Sequence, residues 1–342
     1  MVLGILGGGQ LGMLLTQAAN KIGIDTFIYS DSSDSPAINY SQISLIQPYD
    51  DWDSINDFIE SCDVITFEFE NIPFETLNYI LDSKPVYPSP KINQIIQDRL
   101  FEKEFISKLG IGTTNFINLH QDSKINNEIF PAMLKTRRMG YDGKGQSVMN
   151  SKDDLINIDF DIPYILEKKI NLLREFSIIL TRYQDGKIYT YEPIENIHRD
   201  QILYTSSIPA SINAEMSKLA QKQSEIIANS LNYIGTMCVE YFVDQEQRIY
   251  VNEIAPRVHN SGHLTLEAYD CSQFESHIRA VCNLEKKEPK QGSIEHAEWQ
   301  SKMSDIHGLA NLIVGKHRHG STGTVHVEFE GMYTKFKDLP KN

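Results

Sequence analysis

The stretch Thr236-Met237-Cys238-Val239-Glu240-Tyr241-Phe242-Val243, continued by Asp244-Gln245-Glu246-Gln247 and then Arg248-Ile249-Tyr250-Val251-Asn252-Glu253, decides how this chain folds around its chemistry. Its flanks are rich in β-branched and aromatic residues and its middle is polar, which predicts two antiparallel strands joined by a turn. Pairing about that turn sets Glu240 opposite Asn252 or Glu253, within a residue of register. Two carboxylates embedded in apolar strands repel one another unless a cation lies between them. Oxygen ligands of this kind suit Mg²⁺, which keeps waters and takes substrate phosphates for the rest of its shell. The alternative, both glutamates facing solvent, is weakened by the tyrosine, phenylalanine and valine residues around them. The next segment, Ala255-Pro256-Arg257-Val258-His259-Asn260-Ser261-Gly262-His263, is dense in hydrogen-bond donors and reads as an anion-handling loop. Neither His259 nor His263 has a spacing that calls for zinc.

Outward from this ribbon the pattern is that of an α+β module. Strands are predicted at 130–135, 146–149, 164–168, 175–181, 187–192, 236–243 and 248–254, with a helix at 214–231 capped by Asn213. Lys135 ends one strand, and Arg137-Arg138-Met139-Gly140-Tyr141-Asp142-Gly143-Lys144-Gly145-Gln146 links it to the next. Glycines among basic side chains make a cationic flap able to wrap phosphate oxygens. The G-x-x-x-x-G-K-[ST] of a Walker nucleotide-binding loop is missing.

The first ninety residues are of α/β type. Predicted strands at 2–6, 26–29, 43–46 and 64–69 alternate with helices at 10–19 and 54–59, as in a parallel sheet covered by helices. Gly7-Gly8-Gly9-Gln10-Leu11-Gly12 follows the first strand and Asp31 follows the second, which fits the dinucleotide fingerprint. The same turn suits a lone phosphate or tight turning alone, so these readings stay open. Ser89-Pro90 predicts a helix running to Gly110, with Arg99 at the edge of its buried face. From about Asn283 the pattern is less regular.

Composition removes several classes. In 342 residues, 32 Lys plus Arg oppose 46 Asp plus Glu, a net charge of −14 that disfavours a nucleic-acid partner. No apolar run approaches the ~18 residues of a membrane span, so no membrane partner is expected. The N-terminus has no basic region of the signal-peptide kind. Cys62, Cys238, Cys271 and Cys282 lie far apart without C-x-x-C spacing, which argues against a zinc site and a disulfide framework and for a reducing, cytoplasmic setting.

Taken in order, Gly4-Ile5-Leu6-Gly7-Gly8-Gly9-Gln10-Leu11-Gly12, Thr66-Phe67-Glu68-Phe69-Glu70-Asn71-Ile72, Gln97-Asp98-Arg99, Lys135 with residues 140–146, and the run 252–263 closely resemble the N5-carboxyaminoimidazole ribonucleotide synthases of the ATP-grasp class. The resemblance runs from residue 2 to about residue 282. It implies a Rossmann-like pre-ATP-grasp domain at 1–97, an ATP-grasp nucleotide-binding domain at 98–282 and a shortened, atypical C-terminal domain at 283–342. The implied reaction is ATP-dependent carboxylation of 5-aminoimidazole ribonucleotide by bicarbonate through carboxyphosphate, in purine biosynthesis, with ATP and Mg²⁺ as cofactors and a homodimer as the assembly.

By the same resemblance, Arg99 and Lys135 contact ATP phosphates and Gly140, Tyr141, Asp142, Gly143, Lys144, Gly145 and Gln146 close over them. Glu167, Lys168, Lys169 and Ile170 form the hinge beside adenine, Glu175 holds the ribose, and His198 lies at the nucleotide site. Glu240 and Glu253 carry Mg²⁺ with Asn252 beside them. Gln10, Leu11, Glu70, Tyr141 and Lys144 meet the ribonucleotide, and the Gly-rich turn grips its phosphate. Arg257, His259 and Lys144 are the implied catalytic residues. One departure stands out: near the end the family carries Gly-Arg-Lys-Met-Gly-His, whereas this chain has Asn311-Leu312-Ile313-Val314-Gly315-Lys316-His317-Arg318-His319-Gly320. Another ATP-grasp ligase, or a nucleotide-binding member with impaired turnover, are the alternatives.

Overall fold

The computed structural model describes residues 1–139, 145–199 and 201–292, with the strands Leu309–Val314, Gly323–Glu330 and Lys335–Asp338. It has two compact units, Met1–Leu266 with Cys271–Pro289, and Glu267–Asp270 with Lys290–Asn342.

The first unit opens with β1 (Val2–Leu6), α1 (Gln10–Lys21), β2 (Asp25–Ser30), β3 (Ile43–Ile46), α2 (Trp52–Ser61), β4 (Val64–Phe67) and α3 (Phe74–Leu81). The strands form a parallel sheet in the order β3-β2-β1-β4, as the alternation predicts. Leu11, Leu15 and Ala19 of α1 cover one face with Leu3 and Ile5; Phe58 of α2 and Leu77 of α3 cover the other with Phe27 and Phe67. Gly4 of β1 must be a glycine, because a Cβ there would lie 2.6 Å from the Phe58 ring.

The helix expected from Pro90 to Gly110 is two helices, α4 (Pro90–Ile96) and α5 (Arg99–Lys108). Asp98 leaves helical geometry and its carboxylate accepts the Leu100 N–H at 3.1 Å, so it caps a new helix. Arg99 is therefore the first residue of α5 rather than an interior residue at the edge of one long helix's buried face.

Next come β5 (Phe116–Leu119), β6 (Ala132–Thr136), β7 (Gln146–Met149) and β8 (Tyr164–Lys168), an antiparallel sheet in the order β5-β8-β6-β7 over Leu119, Leu134 and Leu166. A second antiparallel sheet takes β9 (Leu172–Arg182), β10 (Ile188–Thr190), β11 (Ile194–Arg199), β12 (Ile202–Ser207), β13 (Gly235–Asp244) and β14 (Ile249–Ala255) in the order β12-β11-β9-β13-β14, with β10 on β9. The β11–β12 hairpin is not evident from the sequence pattern. Helix α6 (Ala214–Ser230) begins where expected, with Asn213 accepting the Met216 N–H at 2.8 Å, and packs Met216, Ala220 and Ile227 against Ile178, Leu180 and Val239.

Helix Gln273–Val281 joins the parallel and the larger antiparallel sheet. Buried His277 places Nε2 2.8 Å from the Thr66 hydroxyl and accepts the Thr236 N–H on Nδ1 at 3.0 Å. Burial lowers this imidazole to about 3, so it is neutral. In the second unit Leu309–Val314, Gly323–Glu330 and Lys335–Asp338 form an antiparallel sheet. Among the described residues no helix is long and apolar enough to cross a membrane.

Candidate active site

The β13–β14 ribbon pairs as its sequence requires. Cys238 faces Ala255, Val239 faces Ile254 and Glu240 faces Glu253; the register then shifts so that Tyr241 faces Val251. Asn252 is the extra residue of this bulge, which is why the expected register allowed either Asn252 or Glu253. Bulges re-aim side chains, and here the Asn252 amide is brought beside the Glu240 carboxyl, which it helps to hold low. The other end of that amide, Oδ1, is buried without a partner.

The electrostatics of the two carboxylates differ. Burial would raise Glu240, but His259, His198 and Asn252 together hold it below the ordinary carboxylate range; Glu240 Oε1 lies 3.1 Å from His259 Nε2. Burial and repulsion from Glu240 raise Glu253, only partly offset by Arg99, Lys135 and His259. Burial alone would lower His259, yet Cys238 and Glu240 raise it to about 10. A pair of buried acids, one of them insufficiently compensated, beside an orphaned amide oxygen is a donor set that fits a hard divalent cation.

These residues line a cleft of about 510 Å³ that also takes in Glu70, Gln97, Arg99, Glu102, Lys135, Gln146, Glu175, His198, Arg257 and Asn260. Arg99, at the start of α5, donates to the Thr136 carbonyl at 3.3 Å. Lys135 at the end of β6 lies 3.1 Å from Glu167 Oε2. That oxygen also receives Lys103 at 3.3 Å and the Thr114 hydroxyl at 3.0 Å. Burial opposes ionisation of Glu167, but Lys103 and Lys135 overcome it and bring the carboxyl down to about 2. Its second oxygen, Oε1, is buried without a partner. Also in the lining, Glu70 and Arg257 form a two-pronged ion pair, one contact at 3.2 Å, and Arg257 outweighs burial to hold the Glu70 carboxyl low. His198 Nδ1 sits 2.8 Å from Glu175 Oε2, and the Glu175 carboxylate raises the imidazole.

Other expected residues fall elsewhere. Lys168 reaches out to the Glu128 carbonyl at 2.8 Å, Lys169 is exposed, and Ile170 is half-buried beside it; none of these lines the cleft. Gln10 is exposed, whereas Leu11 is buried in the core of the parallel sheet, which leaves only its backbone for a ligand. Gly145 has a positive φ of 71°, and its carbonyl receives the Thr136 N–H. Gly140, Tyr141, Asp142, Gly143 and Lys144 lie outside the described residues, as does the stretch 315–322.

Two groups are already engaged within the protein. Gly9 N–H in the Gly-rich turn is taken by the buried Glu68 carboxyl at 2.9 Å, so that one donor is not free for a phosphate. Gly7 has φ +98°, and a Cβ there would meet Glu68 at 2.7 Å. Arg137 and Arg138, counted with the cationic flap, are held by Asp98: Arg137 at 2.9 and 2.7 Å, Arg138 at 3.3 Å.

Sequence reasoning missed four further groups. Glu102 accepts the Ile254 N–H at 2.6 Å, and burial together with Glu253 raises it to about 8. Buried Lys103, Glu68 and Cys238 are the others. Only the acid three residues after Arg99 on one helix carried a readable signal. Against the expectation of no zinc pattern, Cys238, Glu240 and His259 bring potential ligand atoms within 4.8 Å of one another.

Residues 104–274 match the ATP-grasp domain model and residues 1–97 the ribonucleotide synthetase preATP-grasp domain model. An N5-carboxyaminoimidazole ribonucleotide synthase of Staphylococcus aureus (strain MRSA252) is 39% identical over 289 residues, 82% of this chain and 76% of the relative. One from Bacillus subtilis (strain 168) is 34% identical over 290 residues, 83% and 76% of the two chains. The crystal structure of the Staphylococcus aureus synthetase complexed with ADP aligns with a TM-score of 0.80 and 33% identity, over 95% of this chain and 91% of that one. The Aspergillus clavatus synthase in complex with ADP and 5-aminoimidazole ribonucleotide aligns with a TM-score of 0.78 and 25% identity, over 97% and 94%.

Proposed function

This chain belongs to the N5-carboxyaminoimidazole ribonucleotide synthase family of ATP-grasp enzymes, and from that premise we propose how its cleft performs the family's reaction. It is an ATP-grasp ligase that uses ATP to carboxylate 5-aminoimidazole ribonucleotide, giving N5-carboxyaminoimidazole ribonucleotide in purine biosynthesis. Bicarbonate is the one-carbon donor. An oxygen of bicarbonate attacks the γ-phosphorus and ADP leaves; the ribonucleotide amine then attacks the carboxyl carbon of carboxyphosphate and inorganic phosphate leaves. Bicarbonate is a poor electrophile, and phosphorylation supplies the leaving group it lacks. Phosphoryl transfer is mainly positioning and charge neutralisation.

The observation that carries this reading is the convergence of Glu240, Asn252 and Glu253 with Arg99, Lys135 and the Glu70–Arg257 pair in one cleft. Arg99 and Lys135 neutralise the triphosphate. Glu240, Glu253 and Asn252 would hold Mg²⁺, which when bound supplies positive charge to the transferring phosphoryl group. Glu167, with Oε1 unpartnered, presents an acceptor to the adenine amino group beside residues 168–170, and Glu175 with His198 meets the ribose. Gln10, the Leu11 backbone, Glu70, Tyr141 and Lys144 receive the ribonucleotide. Arg257 and His259 handle bicarbonate and its phosphorylated form, under a flap formed by residues 140–146. A covered site keeps carboxyphosphate, or the CO₂ it releases, from being lost before the amine attacks.

We further assign the limits 1–97, 98–282 and 283–342 to the three domains, a homodimer to the assembly and the cytoplasm to the reaction. Four free, buried cysteines support a reducing compartment. The test is phosphate release from ATP and Mg²⁺ with and without 5-aminoimidazole ribonucleotide and bicarbonate. Release should require both, with labelled bicarbonate appearing in the ribonucleotide; release independent of the ribonucleotide overturns the assignment. Lys144→Ala should weaken the ribonucleotide far more than ATP, and an equal loss of both would reassign that lysine to the flap in general.

A further inference from the structure

Cys238 stands two residues before Glu240 on β13, so the two side chains leave the same face of the strand. It has no part in the reaction above. Its sulfur, a Glu240 oxygen and a His259 ring nitrogen nevertheless lie within 4.8 Å of one another. Glu240 Oε1 and His259 Nε2 are in contact at 3.1 Å. On the far side of the ring, His259 Nδ1 accepts the Ser261 N–H at 3.3 Å and lies 2.9 Å from the Ser261 hydroxyl, which lies 2.8 Å from that of Ser177. This is how a metal-bearing imidazole is supported: one nitrogen anchored on an oxygen, the other aimed at the ligand set. The sulfur separates this trio from the oxygen set of Glu240, Asn252 and Glu253. Thiolate, imidazole and a single carboxylate favour a borderline-soft divalent ion over Mg²⁺.

We propose that Cys238, Glu240 and His259 form a second cation site, specific for zinc-class ions, through which such ions inhibit the enzyme. Binding releases the thiol proton to solvent, leaves the imidazole neutral with its one proton now on Nδ1 facing the Ser261 hydroxyl, and replaces the Glu240–His259 contact with two coordinate bonds. Because Glu240 and His259 line the cleft, the ion is reached from it, and its fourth position is left for water or a phosphate oxygen. Glu240 is then withdrawn from the catalytic cation. That inhibitory consequence rests on the function proposed above; the binding itself does not.

The test is titration of the full chain with Co²⁺, without nucleotide or ribonucleotide. A near-ultraviolet thiolate-to-cobalt charge-transfer band should rise to one equivalent and be displaced by Zn²⁺. It should vanish in Cys238→Ala, which keeps Cys62, Cys271 and Cys282; Cys238→Ser serves the same purpose if circular dichroism shows the alanine variant unfolded. No band in the wild type, or a band that survives loss of Cys238, overturns the site. In turnover, Zn²⁺ should compete with Mg²⁺, and Cys238→Ala should need at least about 100-fold more Zn²⁺ for half inhibition, the upper end of what loss of an outer-shell partner costs. Equal zinc sensitivity in both proteins overturns the inhibitory role even where the band is present.

Discussion

Glu68 and Glu253 are both carboxylates raised by burial, and the protein treats them in opposite ways. Glu68 sits under the Gly-rich turn, where the Gly9 N–H answers it directly. Glu253 sits on the β13–β14 ribbon, where its nearest strong influence is the repelling Glu240 and the cations act on it from elements elsewhere in the chain. The first arrangement is finished without a ligand. The second is finished only by a cation. A sequence fingerprint for phosphate thus carries an acid that the turn itself answers, and a ribbon with no named fingerprint carries the acid left for a cation.

The comparison breaks most visibly at Glu253. Glu253→Gln should lower Mg²⁺-dependent turnover by about three orders of magnitude, the equivalent of about 4 kcal/mol of transition-state stabilisation. Stability without metal should hold or rise, because repulsion from Glu240 is relieved. Unchanged turnover at saturating Mg²⁺ would remove the residue from the cation site. Glu167 is the intermediate case, with one oxygen saturated by Lys103, Lys135 and Thr114 and the other free. Glu167→Gln leaves the lysine Lys103 buried without its counter-charge and should cost about 3 kcal/mol in urea unfolding. A loss below about 1 kcal/mol would show that Lys103 is neutral in the folded state.

These contrasts explain which parts were legible beforehand. The parallel sheet, the ribbon and its register follow from short-range alternation, which strands must obey to bury one face or both. The break at Asp98 was hidden because Ile92, Ile96 and Ile106 enter one cluster from two separate helices, so their spacing imitates a single helix. Glu68 was invisible as the occupant of the Gly-rich turn because its partner is 59 residues away. Lys103 and Glu167 are 64 residues apart and buried together; nothing local marks a charge that will be compensated by a distant strand. Pairings of that kind are set by tertiary structure alone.

His277 sharpens the same distinction at the junction of the sheets, since it is buried and satisfied as a neutral base. Its folded value of about 3 lies below that of an exposed histidine, so the unfolded chain takes up the proton first. Its contribution to stability is complete above about pH 6.5 and falls as the pH drops from there toward 3, by at most about 1.4 kcal/mol per pH unit. Urea midpoints at several pH values should therefore decline on the acid side, and His277→Asn should flatten that limb. An identical decline in both proteins would assign it to other groups.

The smallest effect is expected at Glu68, and it tests whether the Gly-rich turn needs this side chain for its shape or for its charge. Glu68→Gln keeps a carbonyl oxygen for the Gly9 N–H and removes a charge that burial already disfavours. The net worth of one such hydrogen bond is about 1 kcal/mol, so thermal unfolding should shift by no more than that and turnover should be nearly unaltered, because Glu68 does not line the cleft. A destabilisation as large as that of Glu167→Gln would mean that the turn needs an anion. The Gly7–Gly12 loop would then be a working anion site with an internal ligand, and the difference between Glu68 and Glu253 would be one of occupancy rather than of chemistry.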